Sequence, residues 1–269
     1  MPRPHLSLGV SAFRREPIYT AAIVAGRVLF GGILRLGRPA SGLENLPDTG
    51  GAVLAITHFG YLDFALTEWL VWSRNRRRIR FLAQKAAFDT PLIGWLMRGM
   101  RHISVDLKAG AAAYATAVSA LRSGELLGVF PEAGVSASFT VRELKSGAIR
   151  MATEAGVPVV PVAVWGGQLL KTKNHKGTVR EAFRAPISFA VGEPMLVSPA
   201  DDPVVGTCEL RTTLQAMLDA LQRDYPRNES GQWWQPAHLG GTAPTPEVAA
   251  VTEAERQRRK AEKRGDVDG

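Results

Sequence analysis

The amino-acid sequence predicts an α/β fold in which a mixed sheet is flanked by helices. Short apolar runs of strand length alternate with segments in which apolar residues recur at helical spacing. Several of these runs end in polar or turn-forming residues. Such alternation is typical of a sheet with helices on its faces, and open α/β sheets carry their sites at strand ends. We therefore expect the functional residues to follow the apolar runs.

Five apolar runs are predicted to form the strands of the core. They are residues 52–56, 79–82, 103–105, 126–130 and 159–164. Residues 187–191 are a further strand candidate. The segments predicted to be helical have apolar residues at the spacing of an amphipathic helix. They are residues 62–73, 91–100, 111–121, 146–155 and 207–222.

The first 39 residues are predicted to associate with a membrane. Residues 17–34 are almost all apolar, with Arg27 in their middle. A membrane span needs roughly 20 mainly apolar residues, and a central arginine costs on the order of 3 kcal/mol. We therefore expect a helix that lies in the membrane interface, with its arginines at head-group level. A marginal span and a helix packed on its own domain are the alternatives.

Composition narrows the classes of partner. The net charge of +8 indicates an anionic partner, and anionic lipid or the phosphates of CoA are the partners that we expect. Residues 74–80 are rich in arginine, but no helix-turn-helix or zinc-finger spacing accompanies them, so nucleic-acid binding is not expected. Cys208 is the single cysteine, which excludes an internal disulfide and indicates a reducing, cytosol-facing domain. We expect no metal and no cofactor.

The first predicted core strand ends in a candidate acid–base pair. His58 follows residues 52–56, and Asp63 lies at the start of the next predicted helix. A neutral imidazole can accept a proton from a substrate hydroxyl, while a nearby carboxylate fixes its tautomer and stabilises the imidazolium. This pair suits the activation of an alcohol, although the same spacing also arises by chance.

Two further apolar runs carry polar chemistry or proline at their ends. Residues 126–130 are followed by Pro131, Glu132, Ala133 and Gly134. Residues 157–161 begin the next strand and contain two prolines. In this order the motifs resemble the glycerophospholipid acyltransferases, whose best-known members are 1-acylglycerol-3-phosphate acyltransferases. The resemblance covers roughly residues 40–200.

The resemblance implies a glycerol-3-phosphate acyltransferase-like fold and a set of site residues. It implies that His58 and Asp63 are the catalytic pair. It also implies that Lys85 and Glu132 bind substrate, although a structural hydrogen-bonding acid at a strand end is an equal alternative for Glu132. Lys108 is next to Leu107, where the family often has arginine, and could reach a phosphate as a flexible point charge. The backbone of Gly134 is a candidate donor to the oxyanion of the tetrahedral intermediate.

The sequence departs from the family pattern in the third motif. The family usually has Gly, Thr and Arg at the positions of Ala133, Gly134 and Val135. An arginine that the family uses for phosphate is therefore missing. Three basic residues that follow could replace it, or they could form a solvated helix face. They are Arg142, Lys145 and Arg150.

The resemblance implies direct transfer of a fatty acyl group from acyl-CoA or acyl carrier protein to the free hydroxyl of a lysophospholipid. The expected acceptor is 1-acylglycerol-3-phosphate, and the expected location is the cytoplasmic face of the cell membrane. Another lysolipid or a glycolipid is an alternative acceptor. A catalytically inactive, membrane-associated lipid-binding protein is the alternative from another class. Residues 40–239 are the predicted catalytic domain, and residues 240–269, rich in proline, alanine and charge, are predicted to be a disordered tail.

Overall fold

One mixed sheet of seven strands organises the part of the chain that the computed structural model describes, residues 16–106, 110–227 and 229–265. The strands are β1 (Ala40–Ser41), β2 (Ala52–Ile56), β3 (Ile79–Gln84), β4 (Ile103–Val105), β5 (Leu126–Val129), β6 (Val159–Trp165) and β7 (Ser188–Val191). Their spatial order is β1-β7-β6-β2-β5-β3-β4. β6 and β7 are antiparallel, whereas the other neighbouring strands are parallel. The prediction of a mixed α/β sheet is confirmed.

Helices flank this sheet. They are α1 (Pro17–Arg27), α2 (Asp63–Asn75), α3 (Lys85–Phe88), α4 (Pro91–Gly99), α5 (Gly110–Arg122), α6 (Gly147–Ala155), α7 (Val179–Ala182), α8 (Pro203–Arg223) and α9 (Pro246–Gly265). α5, α6 and α8 form one neighbouring group, in which α6 contacts the other two, and α1 contacts α2 and α4. Every residue of β2, β5 and β6 is buried, which explains why these strands are continuous apolar runs rather than alternating ones.

The central parallel strands bring two loops to the same edge of the sheet. β2 pairs with β5 so that Ala55 lies opposite Val129, near the carboxyl end of each strand. The loop after β2 begins with Thr57 and His58, and the turn after β5 contains Pro131 and Glu132. The predicted functional residues of both loops therefore lie at one edge, where open α/β sheets form their sites.

The N-terminal helix packs on the domain with one side and exposes apolar residues on the other. α1 continues into a π-helical segment, Val28–Ile33. Tyr19, Ile23 and Phe30 are buried, whereas Val28 and Ile33 are more than half exposed. Within the described ranges, no helix has both the length and the apolar character that crossing a membrane requires.

The structure differs from the predicted disorder of residues 240–269 over residues 246–265, whereas residues 266–269 lie outside the described residues. Helix α9 occupies residues 246–265, and its Glu253 forms an ion pair with Lys173. Pro246 begins the helix, where its fixed φ is favourable, and the alanine, glutamate, glutamine and arginine that follow are good helix formers. Composition alone missed this helix because its stabilising contacts come from the distant Lys173 loop. The predicted boundaries at residues 39 and 239 stay predictions.

Candidate active site

The end of β2 is fixed to β6 by the side chain of Thr57. The backbone N–H of Thr57 donates to the carbonyl of Val162 at 3.1 Å. Its hydroxyl oxygen accepts from the N–H of Val164 at 2.9 Å. Thr57 is fully buried. The residue that follows, His58, therefore starts from a rigid strand end.

His58 and Asp63 form the pair that the sequence predicts. Nδ1 of His58 lies 3.2 Å from Oδ2 of Asp63. The same Oδ2 accepts the backbone N–H groups of Phe59 at 2.8 Å and Gly60 at 2.7 Å. Because a carboxylate can only accept, Nδ1 of His58 carries its proton, and Nε2 is left as the basic nitrogen. Asp63 is 1% exposed, whereas the side chain of His58 is 15% exposed.

The imidazole ring is also held by an aromatic neighbour. The rings of His58 and Phe130 stack with centroids 4.0 Å apart. Phe130 in turn stacks on Phe81, with centroids 5.6 Å apart. The plane of the imidazole is therefore set by Phe130 and its direction by Asp63.

Glu132 joins the turn after β5 to the loop of His58. Its Oε1 accepts the backbone N–H of His58 at 3.0 Å, and its Oε2 accepts that of Arg142 at 3.1 Å. The N–H of Ser136 donates to the carbonyl of His58 at 2.9 Å. Burial raises the pKa of Glu132 to about 7, against the opposing effect of the two N–H groups. In the structure this carboxyl positions the backbone, and its predicted contact with an acceptor stays a prediction.

The other predicted substrate-binding residues lie in different surroundings. The carbonyl of Gly134 faces Nη1 of Arg142 at 3.5 Å. Lys85 follows β3 and is exposed, and its Nζ donates to Asp89 at 2.9 Å. Lys108 lies outside the described residues. The roles predicted for these three residues stay predictions.

Residues 167–172, which the sequence analysis did not assign to the site, contact Asp63 and the loop between His58 and Asp63. A Cβ atom on Gly167 would lie 2.1 Å from Oδ1 of Asp63, so glycine is required for this approach. The hydroxyl of Thr172 donates to the carbonyl of Phe59 at 2.5 Å, and the N–H of Tyr61 donates to the carbonyl of Lys171 at 2.9 Å. The signal available in the sequence was the Gly166-Gly167 pair directly after an apolar strand.

No group of three or more His, Cys, Asp or Glu residues in the described part of the chain is arranged to hold a metal ion. His58 and Asp63 are residue types suited to proton transfer, an imidazole and a buried carboxylate in contact.

Comparison with known proteins identifies the family. An acyltransferase family model matches residues 39–165. The 1-acyl-sn-glycerol-3-phosphate acyltransferase of Bacillus subtilis is 31% identical over 163 residues, which cover 60% of this chain and 75% of that protein. The chain belongs to the acyltransferase family. The residues of this acyltransferase that match the family model include His58, Asp63 and Glu132. The match ends before Gly167 and α9.

One further relative agrees with this assignment, and a solved structure shares the fold. The chloroplastic 1-acyl-sn-glycerol-3-phosphate acyltransferase LPAT1 of Arabidopsis thaliana is 30% identical over 156 residues, which cover 54% of the acyltransferase described here and 42% of the plant protein. The crystal structure of the 1-acyl-sn-glycerophosphate acyltransferase PlsC from Thermotoga maritima superposes with a TM-score of 0.63 at 19% identity, covering 78% of this chain and 81% of that chain. The structural likeness confirms the predicted fold.

Proposed function

We propose that this acyltransferase moves a fatty acyl group from acyl-CoA or acyl carrier protein to the free hydroxyl of 1-acylglycerol-3-phosphate, which yields phosphatidate for phospholipid biosynthesis. The observation that carries the proposal is the contact of Nδ1 of His58 with Oδ2 of Asp63, which leaves Nε2 free to act as the base. The names of the Bacillus and Arabidopsis relatives, both 1-acyl-sn-glycerol-3-phosphate acyltransferases, support the choice of acceptor.

The geometry suits direct transfer. Nε2 of His58 accepts the proton of the acceptor hydroxyl as the hydroxyl oxygen attacks the thioester carbonyl carbon. Asp63 stabilises the imidazolium that forms. The tetrahedral intermediate then collapses, the C–S bond breaks, and the proton passes from His58 to the leaving thiolate. The new C–O ester bond stays in the product, and the free thiol leaves.

The oxyanion of the intermediate needs hydrogen-bond donors near His58. The backbone N–H of Gly134 is the proposed donor, because Gly134 belongs to the turn that Glu132 and Ser136 bind to the His58 loop. Losing one donor of this kind costs about 10²–10³ in kcat in other acyl-transfer enzymes.

A membrane is the proposed source of the acceptor, at its cytoplasmic face. A lysophospholipid and a long acyl chain both need an apolar path to His58. Leu92, Ile93 and Trp95 of α4 are each at least half exposed. Together with the exposed residues Val28 and Ile33, they supply apolar side chains suited to burial in the membrane interface.

The test is acyl transfer from labelled long-chain acyl-CoA to a panel of lysolipids by the purified protein. We expect transfer to 1-acylglycerol-3-phosphate. His58→Ala should abolish it, and Asp63→Asn should lower kcat by roughly a hundredfold or more with little change in either KM. Circular dichroism checks that both variants are folded.

The double variant His58→Ala/Asp63→Asn separates positioning from a merely structural role. Since Asp63 is proposed to act through His58, the double variant should be no slower than His58→Ala alone. Full activity of His58→Ala would remove this residue as the base. Absence of transfer to any acceptor, with CoA and carrier-protein donors alike, would favour the lipid-binding alternative.

A second candidate is transfer to a different lysolipid or to a glycolipid. The observation that favours it is Val135, an apolar side chain 6% exposed at the position where the family usually has arginine. Transfer only to an acceptor without a phosphate monoester would support this alternative and would leave the chemistry of His58 unchanged.

A further inference from the structure

A cleft of about 570 Å³ lies between the turn that follows β5 and helix α9. One wall extends from Glu132 through Arg142 to Lys145. The opposite wall is a side of α9 that includes Glu253 and Arg256. Because the family match ends at residue 165, this second wall is built by residues outside that match.

Positive charge predominates in the lining of this cleft. Its basic residues are Arg142, Lys145, Lys173, Arg211 and Arg256. Its acidic residues are Glu132, Glu143 and Glu253. Glu132 is buried and binds backbone N–H groups, and Glu253 is paired with Lys173. Excess positive charge in a partly enclosed cleft attracts anions, and arginine binds phosphate through charge-assisted hydrogen bonds.

The cleft is joined to the reacting base through one side chain. The carboxylate of Glu132 binds the backbone N–H of His58 with one oxygen and that of Arg142 with the other. The backbone N–H groups of His58 and Arg142 are therefore bridged by the single carboxylate of Glu132. A ligand at this wall of the cleft is therefore connected through the Glu132 side chain to the loop that carries the base.

Arg142 lies against the turn that lacks the family's arginine. Its Nη1 is 3.5 Å from the carbonyl oxygen of Gly134. A Cβ atom on Gly134 would lie 3.4 Å from the same nitrogen. Val135, the next residue, is buried and apolar. The guanidinium thus occupies the space next to the position where the family has its positive charge.

We propose that this cleft binds a phosphate group, with Arg142 supplying the charge that is missing at Val135 and α9 contributing Arg256. The proposal rests on the proposed function, in which both acceptor and donor carry phosphate. In 1-acylglycerol-3-phosphate the free hydroxyl and the phosphate are on neighbouring glycerol carbons. A phosphate site must then lie close to His58, and the Glu132 bridge places the cleft there.

The first measurement is binding by the full chain without turnover. Calorimetry would compare inorganic phosphate, glycerol 3-phosphate, CoA and adenosine 3′,5′-bisphosphate, with glycerol as the uncharged control. We expect Arg142→Gln and Arg256→Gln each to weaken binding of glycerol 3-phosphate at least fivefold. Arg142→Gln keeps the backbone N–H that Glu132 binds, and Arg142→Lys should recover part of the affinity because it keeps the charge. Arg150→Gln is the control, because Arg150 is an exposed residue of α6 outside the cleft.

The second measurement assigns the phosphate to its source. A rise of at least tenfold in the KM for lysophosphatidate in Arg142→Gln, with the KM for acyl-CoA unchanged, identifies the phosphate of the acceptor. A rise in the KM for acyl-CoA alone identifies the phosphates of the donor. Either result supports the phosphate site, whereas unchanged values for both substrates in both variants would overturn it.

The binding assay also separates this proposal from the proposed function. Phosphate binding that is lost in Arg142→Gln supports the site even if the wild-type protein transfers no acyl group. Equal phosphate binding by wild type, Arg142→Gln and Arg256→Gln overturns the site even if wild type is fully active on lysophosphatidate. Because the two variants change different walls of the cleft, misfolding of one leaves the other as a test.

Discussion

Oδ2 of Asp63 accepts three hydrogen bonds, from Nδ1 of His58 and from the N–H groups of Phe59 and Gly60. The other oxygen, Oδ1, faces Gly167. Three donors on one oxygen fix the direction of this buried carboxylate, so it holds the imidazole in one orientation. The orientation of the His58 imidazole therefore depends, through Asp63, on the positions of Phe59, Gly60 and Gly167.

Gly167→Ala tests this dependence. The added Cβ would lie 2.1 Å from Oδ1 of Asp63, so the carboxylate or the segment after β6 must move. We expect kcat to fall by at least tenfold, because a misplacement of about 1 Å at a catalytic group can cost about a hundredfold. Steady-state acyl transfer measures kcat, and circular dichroism measures the fold.

The control for this prediction is Gly147→Ala. Gly147 begins α6, and a Cβ atom there meets nothing within 4 Å. We expect this variant to keep wild-type kcat. If Gly167→Ala also keeps it, then Gly167 does not position Asp63.

The sequence predicted the contact between His58 and Asp63 but not the residues that support it. His58 and Asp63 are close in the chain and follow a strand, so their spacing indicated their contact. The approach of Gly167 to Asp63 joins residues more than a hundred positions apart. The pairing of β2 with β6 brings these two residues together, and this pairing cannot be predicted from the residues near either one in the sequence.

At the scale of elements, buried polar contacts hold helix α1 to the domain. The hydroxyl of Tyr19 donates to Oε1 of Glu68 at 3.0 Å and accepts the N–H of Ile79 at 2.9 Å. Glu16, just before the helix, binds the guanidinium of Arg80 at 2.6 and 2.8 Å. These contacts fix α1 against α2 and β3.

Glu68 gives this packing a pH dependence. Burial raises the pKa of Glu68 to about 8, so the folded protein keeps a proton that the unfolded chain loses near its ordinary pKa of 4.5. Between these values the folded state binds more protons, and stability falls as pH rises. Burial lowers the pKa of His102 to about 4, so between pH 4 and 6.5 the unfolded chain binds the extra proton and His102 gives a slope of the opposite sign, which fades above pH 6.5.

We predict that Glu68→Gln reduces the loss of stability between pH 6.5 and 8. Glutamine keeps an oxygen to accept from Tyr19 and has no proton to lose. The free energy of unfolding of the wild type should fall by roughly 1 kcal/mol per pH unit in this window, the slope for one proton. Urea titrations at several pH values measure it.

The control is Glu209→Gln, which changes an exposed glutamate of α8. This variant should keep the wild-type slope. A slope in Glu68→Gln equal to that of the wild type would contradict the prediction. The raised pKa of Glu132, about 7, leaves part of the slope near pH 7 in every variant.

The predicted strands β2, β5 and β6 agree closely with the structure because burial on both faces makes each a continuous apolar run. β2 and β4 have the predicted bounds, and β5 and β6 differ by one residue. β1, with two residues, carries too few side chains for a pattern. α9 was missed for the opposite reason, since its composition is polar and its anchor is a distant loop.

At the scale of the whole molecule, α1 with its π-helical continuation and α4 each expose apolar side chains, and the two helices contact each other. The two helices share a small buried cluster of Tyr19, Ile23 and Met100. The exposed apolar residues of this region define what we call the apolar surface. They are Val24, Val28, Leu29, Ile33, Leu92, Ile93 and Trp95. An apolar surface on a chain of net charge +8 suits an anionic bilayer, where both properties contribute to binding.

Replacing two residues of the apolar surface should release the protein from vesicles. Burying a leucine or a larger apolar side chain contributes about 1.5–3 kcal/mol, and aspartate adds repulsion from anionic lipid. We expect Leu92→Asp/Trp95→Asp to weaken sedimentation with phosphatidylglycerol vesicles by at least tenfold. The control is Val204→Asp/Val205→Asp, which changes two exposed valines of α8 and adds the same charge. Equal binding by the two double variants would show that the apolar surface does not face the bilayer. Selective loss would place the proposed substrate path of the acyltransferase on the side of α1 and α4.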